Sequence, residues 1–402
     1  MQNLNEFLVG WRTLLGAIVG VGSGLTGIVF YTHGVFVIPI TSEFGWSRGE
    51  TQFAFSFVMI SAVITGPFIG ILSDKFGARV IALFGLFALS LTLASLSLTN
   101  GQLTNYYLLW IVMSVLASGT FPVTWTRGVN TWFNSNKGLA LGLTMVGTGL
   151  VAAFGPLLAV KLISLYGWRY AYLVLGMVII LFSFPIVYFL FTEKENEYED
   201  EQRNQNLRGM STSDALSSYR FWLLGFSMLF ISYGVAGIIT NFIPLLVDKG
   251  FKTSDAASYA GFIGAMVIVG RLLVGYLIDR VWAPIVAFVF FILPCIACWV
   301  LIQDIPSPLL VTLAALSVGL AAGAELDFIA YMTSRYFGMK NYGSLYGKQF
   351  IFFAIGAGSA PAVFGKSFDI YGSYDLIIIL SAVFFIISAF LIIFMGKYPK
   401  EL

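Results

Sequence analysis

Twelve stretches of this chain approach or exceed the roughly 20 apolar residues that span a bilayer, and nothing else restricts its fold as strongly. They lie near 13–40, 50–72, 80–98, 105–126, 138–160, 169–191, 221–246, 256–278, 282–302, 308–334, 342–364 and 374–396. With 58% hydrophobic and 10% charged residues, the chain carries more apolar surface than one soluble core could bury. The runs are long and do not alternate, which excludes a β-barrel. No span is followed by a small-residue cleavage site, so the first reads as a retained helix and not a signal peptide. The expectation is an all-α membrane protein of twelve transmembrane helices.

Shifting the sequence against itself by 205 residues aligns helix-end residues without a gap. Pro39 falls on Pro244, Gly45 on Gly250, Gly70 on Gly275, Asp74 on Asp279 and Lys75 on Arg280. Gly138 falls on Gly343, Gly142 on Gly347, Pro156 on Pro361, Lys161 on Lys366, and Tyr166-Gly167 on Tyr371-Gly372. These are kink, contact and cap residues, so one offset shared by all of them implies two pseudo-symmetric six-helix bundles. Parallel repeats of this size in a membrane protein point to a carrier with its site between the halves. The expected domains are 1–191, a cytoplasmic linker 192–219, and 220–402.

Lys and Arg give the orientation. With both termini cytoplasmic, the inner segments hold Arg12, Lys75, Arg79, Arg127, Lys137, Lys194, Arg203, Arg208, Arg220, Arg280, Arg335, Lys340, Lys397 and Lys400. The outer segments hold Arg48, Lys161, Arg169, Lys249, Lys252 and Lys366, fewer than half as many. The segment 192–219 opens on the acidic run Glu193, Glu195, Glu197, Glu199, Asp200, Glu201 and reads as a solvated tether. Outer loops are too short for a soluble catalytic domain. No basic cluster suggests nucleic acid. Cys295 and Cys298, one turn apart in the ninth span without a His or acidic companion, read as helix surface and not as a metal or redox site. The reading contains no catalytic residues, no metal and no cofactor.

Between the second and third spans stands Gly70-Ile-Leu-Ser-Asp74-Lys75-Phe-Gly77-Ala78-Arg79, and between the eighth and ninth its second copy, Gly275-Tyr-Leu-Ile-Asp279-Arg280. Each copy offers a Gly for a close helix crossing, an Asp able to cap a neighbouring helix, and cations for the cytoplasmic surface. Two copies at a fixed offset point to a gating latch at Gly70, Asp74, Lys75, Gly77, Arg79, Asp279 and Arg280. With this motif the chain resembles the major facilitator superfamily over nearly its whole length. The resemblance implies alternating access by two rocking bundles, with spans one, four, seven and ten lining the site. Narrower likenesses are Pro39-Ile-Thr-Ser-Glu-Phe44-Gly45-Trp46-Ser47-Arg48, then Trp132-Phe133 with Lys137-Gly138-Leu-Ala-Leu-Gly142, then Arg335-Tyr336-Phe337-Gly338 with Tyr342-Gly343. Together they resemble the branch of monocarboxylate transporters and the oxalate:formate antiporter.

The departures from that branch are specific. Its antiporter-like members carry a cation three residues after a Tyr in the eleventh span, paired with the arginine of the eighth span. Here that position is Gln349, and Lys348 precedes it by one residue, a turn of about 100° on a helix. The animal monocarboxylate carriers place an Asp one turn before the eighth-span arginine; here Val267 stands there, so that Asp–Arg relay does not carry over.

Ionisable residues inside the bilayer are costly unless paired or facing water. Arg271 stands about 12 Å from the cytoplasmic loop by helical rise, and the resemblance places a substrate arginine here; a snorkelling structural arginine is the alternative. Glu325 and Asp327 in the tenth span point roughly 200° apart, so at most one faces the cavity squarely. They and His33, the sole histidine, are the proton-coupling candidates, with structural charge pairing and hydrogen bonding as the alternatives. Tyr31, His33, Asn241, Tyr233, Phe328, Tyr331, Lys348 and Gln349 complete the expected substrate site with Arg271; helix packing is the competing role for each.

The expected function is secondary transport of a small organic anion, monocarboxylate-like, coupled to protons. An anion:anion antiporter and a drug or metabolite exporter are the alternatives, with a membrane-embedded enzyme or receptor more remote. The expected partners are the anion, protons or a counter-anion, and the lipid of a bacterial inner or plasma membrane, around a monomer.

Overall fold

A backbone in hydrocarbon has no water to bond, so the apolar runs close their hydrogen bonds within themselves as helices. The computed structural model describes residues 2–133, 136–194 and 209–399, with side chains from residue 6 onward. Most of the expected linker lies outside the described residues, including Glu195, Glu197, Glu199, Asp200, Glu201, Arg203 and Arg208, as does Lys400. Among those described, eleven helices are long and apolar enough to cross a membrane. They are Leu25–Phe44, Arg48–Phe76, Ala78–Leu98, Lys137–Tyr166, Trp168–Leu190, Tyr219–Asp248, Thr253–Ile278, Ala283–Leu301, Pro308–Phe337, Tyr342–Tyr371 and Asp375–Ile393.

The span expected at 105–126 is interrupted. An apolar helix Leu103–Leu116 stops, a turn of 3-10 helix covers Ser118–Thr120, and a new helix runs Pro122–Asn130. Pro122 carries no N–H and cannot continue the ladder, which explains the restart. The first span breaks too, between a helix Gln2–Gly22 and a π turn Leu25–Val29. The two breaks meet: the Leu25 amide donates to Thr120 Oγ1 at 3.1 Å, and that hydroxyl donates to Ala117 O at 2.8 Å. Irregular backbone survives at this depth because side-chain oxygens replace its lost partners.

The chain forms two compact units. One comprises Met1–Glu195, Ile239–Ala265 and Pro361–Ser373. Its core includes Trp125, whose indole donates to Thr120 O at 2.9 Å, and Phe36 stacked on Tyr172 at 3.8 Å between centroids. The other comprises Asn196–Ile238, Met266–Ala360 and Tyr374–Leu402. There Phe328 packs edge-on to Phe291, and Ser227 and Ser388 hydrogen-bond across two helices at 2.9 Å. The Met210 amide donates to Phe337 O at 2.8 Å, at the C-terminal end of helix Pro308–Phe337. Cys295 donates weakly to Ala382 O and Cys298 is buried; both are free thiols.

The repeated residues adopt matching local conformations. Pro39, Pro156, Pro244 and Pro361 all sit inside helices. Gly45 and Gly250 have φ of 69° and 88°, and Gly167 and Gly372 have 84° and 69°. Each ends a helix in the left-handed region that side chains resist.

Candidate functional site

Within the second unit, the part of helix Thr253–Ile278 from Met266 onward crosses helix Pro308–Phe337 backbone to backbone. A Cβ at Gly323 would stand 2.2 Å from Val267 O, and one at Gly270 would stand 2.5 Å from Leu320 O. Only glycines permit that approach, and it sets Arg271, next to Gly270, beside Glu325, two residues beyond Gly323. Arg271 is 5% exposed and Glu325 8%. Glu325, Asp327 and the Tyr346 ring each lie within electrostatic range of Arg271, and Tyr346 also lies within range of Asp327. No ion pair closes between Arg271 and either carboxylate among the described residues. Nε and Nη1 of Arg271 and Oε2 of Glu325 are buried without a hydrogen-bond partner. A desolvated guanidinium with open N–H donors is strongly disfavoured unless an anion answers it.

The remaining expected residues divide. Lys348 donates to Ser344 Oγ at 2.8 Å, one turn back on its own helix. Gln349 is fully buried and donates to Phe221 O at 2.8 Å, tying Tyr342–Tyr371 to Tyr219–Asp248. Phe328 lies in the core against Phe290 and Phe291. Tyr331 donates to Ile278 O at 3.0 Å. Tyr233 is buried edge-on to Phe384.

Tyr31, His33 and Asn241 belong to the first unit. His33, 2% exposed, stands edge-on to Trp110 at 4.9 Å and stacks near Phe55 at 5.8 Å. Gln52 approaches the imidazole without an aligned hydrogen bond, and its amide donates to Asn241 Oδ1 at 2.5 Å. In sequence Gln52 is an ordinary polar residue one turn after Arg48, and only its full burial marks it. Tyr31 lines an apolar crevice of roughly one water's size with Gly34, Pro156, Ile239, Ile243 and Ile263.

The loop motif departs from expectation in two ways. A Cβ at Gly70 or Gly275 would meet nothing within 4 Å, so neither glycine marks a tight crossing in this conformation. Asp74 pairs with Arg127 and, among the described residues, caps no helix. The helix starting at Ala78 is capped by Glu193, whose Oε1 accepts from the Ala78 amide at 2.6 Å. Glu193, read as part of a solvated run, is therefore a structural cap, and longer reach lets it satisfy an amide that Asp74, committed to Arg127, leaves open. Gly77 supplies the turn with φ of 85°, and Lys75 lies over Phe76 at 5.2 Å. Arg79 donates to Tyr188 O at 2.5 Å. In the second copy, Arg280 donates to Tyr276 O at 3.0 Å and lies over that ring, while Asp279 lies within electrostatic range of Tyr331. Among the described residues no group of three His, Cys, Asp or Glu is placed to hold a metal ion.

Comparison with known proteins agrees with this architecture. The solved bacterial homologue of the human lysosomal transporter Spinster, in an inward-facing and occupied conformation, superposes with a TM-score of 0.70 at 16% identity, covering 98% of this chain and 97% of that one. Human monocarboxylate transporter 12 is 24% identical over 95% of this chain and 80% of its own length. The uncharacterized MFS-type transporter YcxA of Bacillus subtilis is 25% identical over 88% of each chain. The family model of the Major Facilitator Superfamily matches residues 19–361, so this chain belongs to that superfamily of membrane transporters.

Proposed function

We propose that this transporter moves a small organic anion, of the monocarboxylate type, together with a proton by alternating access. In this reading twelve spans form two six-helix bundles, 1–191 and 220–402, joined by a cytoplasmic linker at 192–219, in a monomer with both termini cytoplasmic. The carrying observation is Arg271, buried with two open N–H donors beside an equally unpartnered Glu325 oxygen. A planar guanidinium offers a carboxylate two parallel hydrogen bonds. A monocarboxylate suits the site better than a dicarboxylate. The position where antiporter-like carriers hold a second cation is Gln349, bound to Phe221 O, and Lys348 is turned to Ser344. The likeness to a protein named monocarboxylate transporter 12 supports the same class.

Coupling follows from charge. Arg271 can neutralise one carboxylate in a low-dielectric site, and two ionised carboxylates beside it leave a net negative charge that is costly to carry. When substrate takes the guanidinium, Glu325 takes a proton, and the reorienting protein stays neutral at this point. Release of the anion returns Arg271 to Glu325 and frees the proton. Asp327 and His33 are the other exchange candidates.

Uptake of labelled monocarboxylates into proteoliposomes, with and without an inward proton gradient, tests the reading. Accumulation driven by the gradient is expected, and Glu325→Gln should retain substrate exchange while losing accumulation. Retention of gradient-driven uptake by Glu325→Gln, Asp327→Asn and His33→Gln alike would remove this coupling set. Gradient-independent uptake by the wild type would favour exchange instead.

A further inference from the structure

The short helix Arg48–Phe53 of the first unit is held by residues hundreds of positions away. Arg48 forms a two-bonded pair with Asp248, Nη1 to Oδ2 at 2.5 Å and Nη2 to Oδ1 at 2.7 Å. Its guanidinium also covers the Phe368 ring at 3.7 Å. The amides of Arg48 and Gly49 donate to the two oxygens of Asp369, each at 2.9 Å. One helical turn deeper, Gln52 donates to Asn241. Arg48 and Gln52 share a face at i and i+4, and Asn241 and Asp248 share a face two turns apart. Ser47 and Glu50 close a capping box around the same turn, so the helix start is rigid in its own right.

We propose that Arg48, Gln52, Asp248, Asn241 and Asp369 form the outer latch of the transport cycle. The latch gathers the outer ends of the second, seventh and eleventh spans, rests on the alternating-access reading, and must release for the outward-open state. Its bonds are unlike surface decoration. Side-chain exposure is 14% for Arg48 and 28% for Asp248, the pair is bidentate, and Asp369 satisfies two otherwise open amides at a helix start. Gln52 and Asn241 are fully buried, so separating them without water entry leaves two amides unsatisfied. That cost makes opening cooperative: the polar pair can part only when water or substrate enters behind Arg48. Ile243, the residue before Pro244 and lining the Tyr31 crevice, is buried while the latch is closed.

The test is labelling of Ile243→Cys by a membrane-impermeant maleimide, in full-length protein with Cys295 and Cys298 replaced by Ala, in right-side-out and inside-out vesicles. It needs no substrate, so its failure is separate from failure of the organic-anion reading. With Arg48→Gln or Asp369→Asn added, the labelling rate from the outer face should rise at least about threefold, since a partly buried bidentate pair exceeds a surface pair in strength. The exchange R48D with D248R should restore slow labelling in part. Thermal denaturation in detergent separates opening from unfolding: a variant that labels fast while melting near the parent temperature supports the latch. Unchanged labelling in both single variants, or acceleration only from the inner face, would overturn it. A variant that melts early is replaced by Gln52→Glu, which keeps the size, strains the Asn241 bond and should speed outer labelling in the same way.

Discussion

At the scale of single residues, the proposed function rests most heavily on Arg271. Lysine would keep the charge and much of the length but presents one ammonium instead of a fork. Arg271→Lys is therefore expected to fold and to bind its carboxylate at least about tenfold more weakly, roughly 1.4 kcal/mol. Equilibrium binding on purified protein checks this, with thermal melting as the control for folding. A structural arginine would behave differently: the lysine variant would melt early and the folded fraction would bind normally. The arginine itself was visible in the sequence as a cation inside an apolar run. Other polar residues of the fold are not visible in this way. Gln52 and Glu193 are ordinary polar residues by local context, and their importance comes from burial against Asn241 and the Ala78 amide.

Glycine spacing governs the elements. The approach of helices Thr253–Ile278 and Pro308–Phe337 depends on Gly270 and Gly323, and van der Waals contact between helices is the main adhesive once lipid replaces water. Gly323→Leu would drive a side chain into Val267 O, where even a Cβ would lie at 2.2 Å. Overpacking of this kind costs about 1–3 kcal/mol, so the melting temperature should fall and carboxylate binding with it. Gly275→Ala is the matched control, because a Cβ there meets nothing within 4 Å. It should stay within about 0.5 kcal/mol of the parent. Equal losses in both variants would show that the crossing at Gly323 is not what the melting temperature reports. Left-handed glycines at the 205 offset mark the helix ends from sequence alone, because their backbone freedom is intrinsic. The break at Ala117–Phe121 was missed: the run 105–126 is apolar enough to read as continuous, and only the Thr120–Leu25 bond shows why it can stop there.

In the proposed transport cycle the whole molecule exchanges conformations, and its ion pairs differ in how firmly they would hold one. Asp74 and Arg127 are 63% and 42% exposed, so water and salt screen their pairing. A pair of this type contributes about 0–1 kcal/mol. Asp74→Asn should accordingly change the rate of transport by no more than about fivefold, leave substrate affinity in place, and lose its effect in high salt. Transport rates across a salt series measure this. A change in affinity with the rate constant would place Asp74 at the substrate instead. The Arg48 cluster is less exposed and multiply bonded, so its variants should shift conformation at any salt concentration.

The sequence by itself determined the class of this protein: a helical membrane transporter, with most of its apolar spans and the glycines that end its helices. Those properties follow from run length, from proline and glycine backbone limits and from the cost of charge in lipid, all of which act locally along the chain. Tertiary structure decided which polar residues meet. Gln52 and Asn241 lie 189 positions apart, Arg48 and Asp248 200, and Arg48 and Asp369 321. No periodicity encodes such pairs. They exist because helices packed through small residues leave a few polar side chains out of water, and each of those must find its partner wherever the fold brings one.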